Sequence, residues 1–215
     1  MLFNTSLETM MIMLPGIIIG LVFHEYAHGY IADRLGDPTP AYSNRLSLNP
    51  LVHLDIFGFL MILFTGFGWA KPIPINPARF KGNQRIGLVL VSIAGCCANM
   101  IVAFTGCLIY NLSVAGTSTP LNSTWVGVLG YLISINIMLG IFNLIPIPPL
   151  DGSRVIAAFI PYRYLGWYYQ LERYGLMVLM LLIFFTGFFS YLRPVMNGIF
   201  YIMNSISAAI AGIIF

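Results

Sequence analysis

The sequence predicts an all-α, polytopic membrane protein with about five to six apolar helices. Hydrophobic residues make up 59% of the 215 residues, and charged residues make up only 8%, against about 25% in an ordinary soluble protein. Several apolar runs are also long enough to cross a hydrocarbon core of about 30 Å. These observations exclude a disordered chain, a disulfide scaffold and a soluble enzyme, because ten basic and seven acidic side chains cannot cover a soluble surface.

The composition also limits the expected partners. The formal net charge of +3 comes without a basic stripe, so the lipid bilayer is expected as a partner and nucleic acid is not. Ionisable residues at membrane depth are costly and usually functional, so each of the few charges needs an explanation. Cys96, Cys97 and Cys107 lie in one apolar run and are interpreted as packing residues.

The first predicted helix covers residues 6–34. Thr5 and Glu8 fit a capping box in which Thr5 is the N-cap, and Gly36 followed by Pro38 marks the end of the helix. At 1.5 Å per residue this helix would be roughly 43 Å long, which exceeds the thickness of the bilayer core. We therefore expect it to be the first full span.

A polar, proline-rich loop separates the first span from a short apolar run. Residues 56–69 are too few to cross the membrane easily and are rich in glycine, which predicts a re-entrant or interfacial segment. The following sequence KPIPINP, residues 71–77, cannot be helical, because each proline removes a donor and favours extended backbone before it. We expect a β-like segment here, between the first two full spans.

The next two apolar runs complete a three-helix core. Residues 86–110 and 124–145 predict the second and third full spans. The proline-rich sequence IPIPPLDG then breaks the third span, and residues 153–160 are expected to form a short helix.

Two further runs, residues 176–191 and 195–215, predict a final helical hairpin. No composition shift marks a domain boundary, so we expect a single membrane domain over residues 1–215. Its core would cover about residues 6–160, and the C-terminal helices would cover about residues 164–215.

The distribution of basic residues predicts the orientation in a cell membrane. Residues 34–85 contain six Lys and Arg residues, whereas residues 111–123 and the segment before the first span contain none. Cytoplasmic loops carry an excess of Lys and Arg, so the N-terminus is expected outside and residues 34–85 in the cytosol.

Two of the three histidines occur in the sequence HEYAH, residues 24–28. His24 and His28 are four residues apart and share one helix face, so their imidazoles can bind a single zinc ion. Glu25 can then act as the general base toward the attacking water. The alternative is a pair of buried histidines without function, but three adjacent polar groups would be costly at membrane depth.

A catalytic zinc site needs a third protein ligand, and few acidic residues are available. Most of the seven acids lie at a helix end or in the polar loops. Asp151 lies at the break of the third span, at the same predicted depth as the two histidines, and irregular backbone at that depth lines a cavity. Its alternative role is the N-cap of the short helix that follows.

With these two motifs the chain resembles the site-2 protease family of intramembrane zinc metalloproteases, in its short prokaryotic form. The family pattern pairs H-E-x-x-H with N-x-x-P-x-P-x-x-D-G, which residues 143–152 fit position by position. The resemblance covers about residues 15–160. One departure lies in the middle span, where Gly95 and Asn99 fit a Gly-Pro-x-x-Asn pattern but Cys96 replaces the proline.

The resemblance implies a zinc endopeptidase that cleaves transmembrane segments of other proteins, as in regulated intramembrane proteolysis. It implies one zinc ion bound by His24, His28 and Asp151, with Glu25 activating the water. It also places Asn143 near the metal, where the amide would bind the substrate or the oxyanion, unless it packs between helices.

Two further residues are weaker candidates for contact with the substrate or the oxyanion. Asn99 could reach the site from the second span, or it could hold helices together. His53 stands just before the short apolar run, and it could serve the site or make an interfacial hydrogen bond.

Three functions remain open at this point. The substrate of a protease would be a transmembrane protein, unwound by pairing with an extended strand such as residues 71–77. An intramembrane metal or ion transporter would use the same His, Glu and Asp cluster, but it would need polar residues through both halves of the bilayer. A membrane scaffold without catalytic activity, the third alternative, would not need Glu25. The natural substrate and the oligomeric state do not follow from the sequence.

Overall fold

The computed structural model describes residues 6–65, 68–117, 119 and 121–215, and within these ranges the regular structure is helical, with no β-strand. The helices are α1 (Leu7–Arg34), α2 (Thr39–Tyr42), α3 (Pro50–His53), α4 (Ile56–Thr65), α5 (Gln84–Ala115), α6 (Ser123–Asn143), α7 (Asp151–Ala157), α8 (Leu165–Thr186) and α9 (Phe188–Ile214), with 3₁₀ turns at Pro77–Arg79 and Tyr162–Tyr164. The all-helical prediction is confirmed for the described residues.

Helix α1 begins one residue later than predicted. Ser6 is the N-cap, with extended backbone, and its Oγ accepts a hydrogen bond from the backbone N–H of Thr9 at 3.2 Å. Thr5, the predicted N-cap, lies outside the described residues. The 28 residues of α1 span roughly 42 Å, which is enough to cross the bilayer core.

Helices α1, α5 and α6 pack against one another as a three-helix core. Helix α9 packs on α5 and α6, where Ala103, Cys107, Ile133 and Ile137 are buried. All three cysteines are free, and the packing role predicted for them fails for Cys97, which is exposed on α5.

Four helices of the described chain are long and apolar enough to cross a membrane. They are α1, α5, α6 and α9. Together with the composition they identify a membrane protein, and the exact number of spans stays a prediction.

The short apolar run forms α4 and is followed by irregular backbone. The helix ends at Thr65, and Gly66 and Phe67, which were part of the predicted re-entrant segment, lie outside the described residues. Residues 68–76 are neither helix nor strand, so the β-like segment predicted from the KPIPINP sequence does not form a β-strand there.

The final hairpin turns earlier than predicted. The break falls at Gly187, whose backbone is left-handed with φ +62°, and Pro194 lies inside α9. The prediction placed the break next to Pro194, but a proline within an apolar membrane helix is tolerated. At its other end, helix α8 begins eleven residues before the predicted run, at Leu165.

Candidate active site

Two helices bring together the three predicted metal ligands. His24 and His28 lie one turn apart on α1, and Asp151 is the first residue of α7; all three are buried. The Nε2 atoms of the two histidines are 3.0 Å apart, and the Oδ2 atom of Asp151 lies 3.0 Å from His24 Nε2 and 3.1 Å from His28 Nε2. Residues 123 positions apart in sequence thus form a compact triangle of donor atoms.

The triangle fits a zinc ion. Ligand atoms held tetrahedrally at about 2.0–2.1 Å from zinc lie about 3.3–3.4 Å apart, close to the separations observed. Imidazole nitrogen and carboxylate oxygen are both zinc ligands, and three of them leave one position open, as catalytic sites do. Among the described residues, this is the group of His, Cys, Asp and Glu side chains placed to hold a metal ion.

The hydrogen bonds behind the triangle leave the Nε2 atoms free to bind metal. His28 Nδ1 lies 2.6 Å from the backbone carbonyl of Val91, and His24 Nδ1 lies 2.7 Å from Oδ1 of Asn99. Both partners are acceptors, so each Nδ1 carries the proton and each Nε2 presents a lone pair. Two lone pairs and a carboxylate oxygen about 3 Å from one another form a donor set that could hold one metal ion.

Asp151 supplies the anionic ligand of the triangle. Its carboxylate oxygen Oδ2 faces both Nε2 atoms, and carboxylate oxygen joins imidazole nitrogen in known zinc sites.

Glu25 follows His24 on α1 and lies outside the triangle. Its Oε2 accepts a hydrogen bond from the backbone N–H of Ile73 at 3.0 Å, so the irregular segment after α4 crosses the site at this carboxylate. The segment is anchored on either side, because Lys71 N–H donates to the His53 carbonyl and Asn76 N–H donates to Oδ2 of Asp37. Three backbone donors therefore fix the segment over the active-site turn of α1.

Gly95 allows α5 to pass directly behind the imidazoles. A Cβ atom at this position would lie 2.5 Å from His28 Nε2 and 2.6 Å from His24 Cε1, closer than real Cβ atoms approach other atoms. The glycine of the Gly-x-x-x-Asn sequence is thus explained by close approach to the metal ligands rather than by helix geometry.

Gly95→Ala is expected to displace an imidazole and weaken zinc binding. The loss of affinity should at least equal the about 10–100-fold that follows removal of an outer hydrogen-bonding partner. Gly130→Ala is the matched control, because a Cβ at that position of α6 meets nothing within 4 Å. Zinc affinity measured by chelator competition should fall for Gly95→Ala only. Equal affinities in the two variants would show that α5 shifts to accommodate the added methyl group without displacing the imidazoles.

A cavity of about 600 Å³ reaches the triangle at His28. One wall is formed by the segment from Pro72 to Pro77, and the others by residues of α5, α7 and α8. Ser92 lines it with a buried Oγ that has no hydrogen-bond partner, and Arg154 and Glu172 form an ion pair of 3.8 Å at its edge. Polar side chains therefore line a cavity that opens onto the candidate metal site.

The other three predicted site residues are not part of the triangle. Asn143 is the last residue of α6, and its Nδ2 donates to the Leu139 carbonyl. His53 is fully buried, and its Nε2 bonds the Ser47 carbonyl. Asn99 is also fully buried, and its Oδ1 lies 2.7 Å from His24 Nδ1. Direct contact of these side chains with substrate stays a prediction.

Sequence reasoning missed Asn136, which hydrogen-bonds to Asn99 at 2.9 Å in the centre of the core. A signal for it exists, because a polar side chain inside an apolar span is costly and therefore marks a site or a helix contact. Sequence reasoning also missed the acceptor role of Asp37, which has no equivalent signal in the polar loop.

Comparison with known proteins gives consistent matches. The profile of peptidase family M50 matches residues 109–186. YwhC of Bacillus subtilis, named as a candidate zinc metalloprotease, is 42% identical over 193 residues, covering 85% of this chain and 84% of that protein. MJ0611 of Methanocaldococcus jannaschii, named in the same way, is 28% identical over 155 residues, covering 71% of this chain and 73% of that protein.

Zinc metalloprotease MJ0392 of the same archaeon is 27% identical over 148 residues, covering 69% of this chain and 34% of that protein. No solved structure matches the chain.

Proposed function

The chain belongs to peptidase family M50, the site-2 protease family of zinc metalloendopeptidases, and from this premise we propose that it hydrolyses peptide bonds in or near transmembrane segments of other proteins. The observation that carries the proposal is the buried triangle of His24, His28 and Asp151 beside Glu25, within a bundle of apolar helices. A metal-dependent hydrolase site at this position has access to membrane-embedded chains.

Each candidate site residue has a separate role in the proposed hydrolysis. His24, His28 and Asp151 would hold the zinc ion, which when bound would polarise the scissile carbonyl and lower the pKa of a bound water. Glu25 takes a proton from the attacking water and returns it to the leaving amide nitrogen, a role in which a positioned carboxylate contributes about 10²–10⁴-fold. Asn143 is the candidate donor to the oxyanion.

The substrate is proposed to enter as an extended chain along the wall formed by residues 71–77. A helical peptide bond is shielded by its own hydrogen bonds, so it must unwind before cleavage, and pairing with an extended segment supports the unwound form. This segment lines the cavity that reaches His28 and contacts Glu25 through Ile73. Deleting residues 71–77 should abolish cleavage with zinc still bound; loss of zinc would give the segment a structural role instead.

The site is proposed to face the cytosol, with the N-terminus outside. Residues 34–85 carry six basic residues, and the segment from 111 to 123 carries none. His24 and His28 lie in the last three turns of α1, on the side of the membrane to which the basic segment belongs.

The competing function is metal or ion transport through the same cluster. Purified protein in proteoliposomes, with a single-span substrate in the bilayer and a zinc-sensitive dye in the lumen, separates the two. We expect cleavage at a bond in or near the substrate's transmembrane segment, and no zinc flux beyond that of protein-free vesicles. Zinc flux without cleavage would overturn the proposal.

A further inference from the structure

We propose that Asn99 and Asn136 are positioning residues that fix the tautomer of His24, so that its Nε2 presents a lone pair to the metal. The inference rests on the proposed role of His24 as a metal ligand. It assigns a purpose to a chain of hydrogen bonds that runs through the centre of the three-helix core.

The donor-to-acceptor direction of these hydrogen bonds is set by backbone carbonyls at the end distant from His24. Asn136 Nδ2 faces the carbonyl of Leu132 at 2.8 Å and that of Gly16 at 3.4 Å. A carbonyl can only accept a hydrogen bond, so the amino group of Asn136 must point toward them. Its Oδ1 is consequently turned toward Asn99, where it can only accept.

Asn99 carries this polarity to the histidine. Its Nδ2 donates to Asn136 Oδ1 at 2.9 Å and to the Gly20 carbonyl at 3.0 Å, so two acceptors fix the orientation of the amide. Its Oδ1 then faces His24 Nδ1 at 2.7 Å. A flipped Asn99 would place its amino group against His24 and its oxygen against two other oxygens.

The consequence is a restriction on where the His24 proton lies. An acceptor opposite Nδ1 keeps the proton on Nδ1, and Nε2 is left unprotonated. The other tautomer would direct an N–H into the triangle, toward His28 Nε2 and Asp151 Oδ2, in the position of the metal. His28 is held in the same way by a backbone carbonyl, so His24 is the ligand whose tautomer depends on a side chain.

The competing explanation for Asn99 and Asn136 is that these buried amides only hold helices together. Asn99 and Asn136 are both 0% exposed, and interhelical amide bonds hold membrane helices together. The chain contains a comparator in Asn111, which also lies on α5. Its Nδ2 donates to Asn204 and Ser207 of α9 and to the Cys107 carbonyl, and it contacts none of the triangle residues.

The test compares zinc affinity in the full chain in detergent, by chelator competition, for Asn99→Leu and Asn111→Leu. Leucine has the same branching at Cγ as asparagine and removes the amide's donor and acceptor. Asn99→Leu is expected to weaken zinc binding by about 10–100-fold, the usual effect of losing a partner of a metal-bound histidine. Asn111→Leu is expected to leave the affinity unchanged, although both variants lose an interhelical amide.

Two further variants keep the test informative if Asn99→Leu does not fold. Asn99→Asp retains an acceptor opposite Nδ1 and should bind zinc with an affinity close to that of the wild type. Asn136→Leu does not touch the histidine, and it should weaken zinc binding in the same direction by a smaller factor.

A spectroscopic measurement addresses the tautomer directly. The chain has three histidines, so long-range ¹H–¹⁵N correlation spectra of histidine-labelled protein are simple to assign. His24 should show a protonated Nδ1 in the wild type and a mixture of tautomers in Asn99→Leu. Equal zinc affinities for Asn99→Leu and Asn111→Leu would overturn the positioning role alone, whereas wild-type affinity in His24→Ala would overturn the ligand assignment as well.

Discussion

Asp151→Ala should release the zinc ion and reduce peptide-bond cleavage to background. The Oδ2 atom of Asp151 lies 3.0 and 3.1 Å from the two Nε2 atoms, and it supplies the negative charge of the donor set. Without it, two imidazoles remain, and catalytic zinc sites use three protein ligands. The loss of affinity should exceed the about 10–100-fold caused by removing an outer-shell partner.

Zinc content by elemental analysis, together with cleavage of a membrane substrate, measures the effect. Asp55→Ala provides the matched control, since this half-buried carboxylate accepts a hydrogen bond from Gly58 at the start of α4 and is not part of the triangle. It should keep one zinc per chain. Stoichiometric zinc with wild-type affinity in Asp151→Ala would show that another residue completes the site.

Glu25→Gln should retain zinc and lose cleavage. The carboxylate of Glu25 lies outside the triangle, and the amide oxygen of glutamine can still accept the hydrogen bond that Ile73 N–H donates at 3.0 Å. The local structure is therefore preserved while the group that takes the proton from water is removed. We expect the cleavage rate to fall by about 10²–10⁴-fold.

The measurement is the single-turnover cleavage rate, determined on the same preparation as the zinc content. Glu8→Gln is the control, because Glu8 is an exposed residue in the first turn of α1 and should have no effect on either quantity. A Glu25→Gln variant that has lost its zinc would instead place Glu25 among the residues that support the metal.

Local sequence patterns were enough to select three side chains that the structure brings together. The i, i+4 spacing of His24 and His28 determines that they share a face of α1. Asp151 could be identified from the scarcity of acids and from the proline-rich break that precedes it. The structure brings these three side chains within about 3 Å of one another, and no long-range information was needed to select them.

The contacts that support the site could not be predicted in this way, because they join distant parts of the chain. The bond from Asn136 to Gly16 spans 120 positions, and that from Ile73 to Glu25 spans 48. The need for glycine at position 95 depends on how closely α5 packs against α1, and the periodicity of the sequence does not predict that distance. Helix boundaries were wrong where tertiary context decided them, as at Gly187, where the final hairpin turns.

The most direct test of the account maps the cleavage site in a bilayer. Wild-type protein and Glu25→Gln, each with its zinc content determined, are incubated in proteoliposomes with a single-span substrate, and the product ends are identified by mass spectrometry. The account predicts product ends in or next to the substrate's transmembrane segment for the wild type, and no such products for zinc-loaded Glu25→Gln. Equal amounts of the same products from both proteins would contradict it.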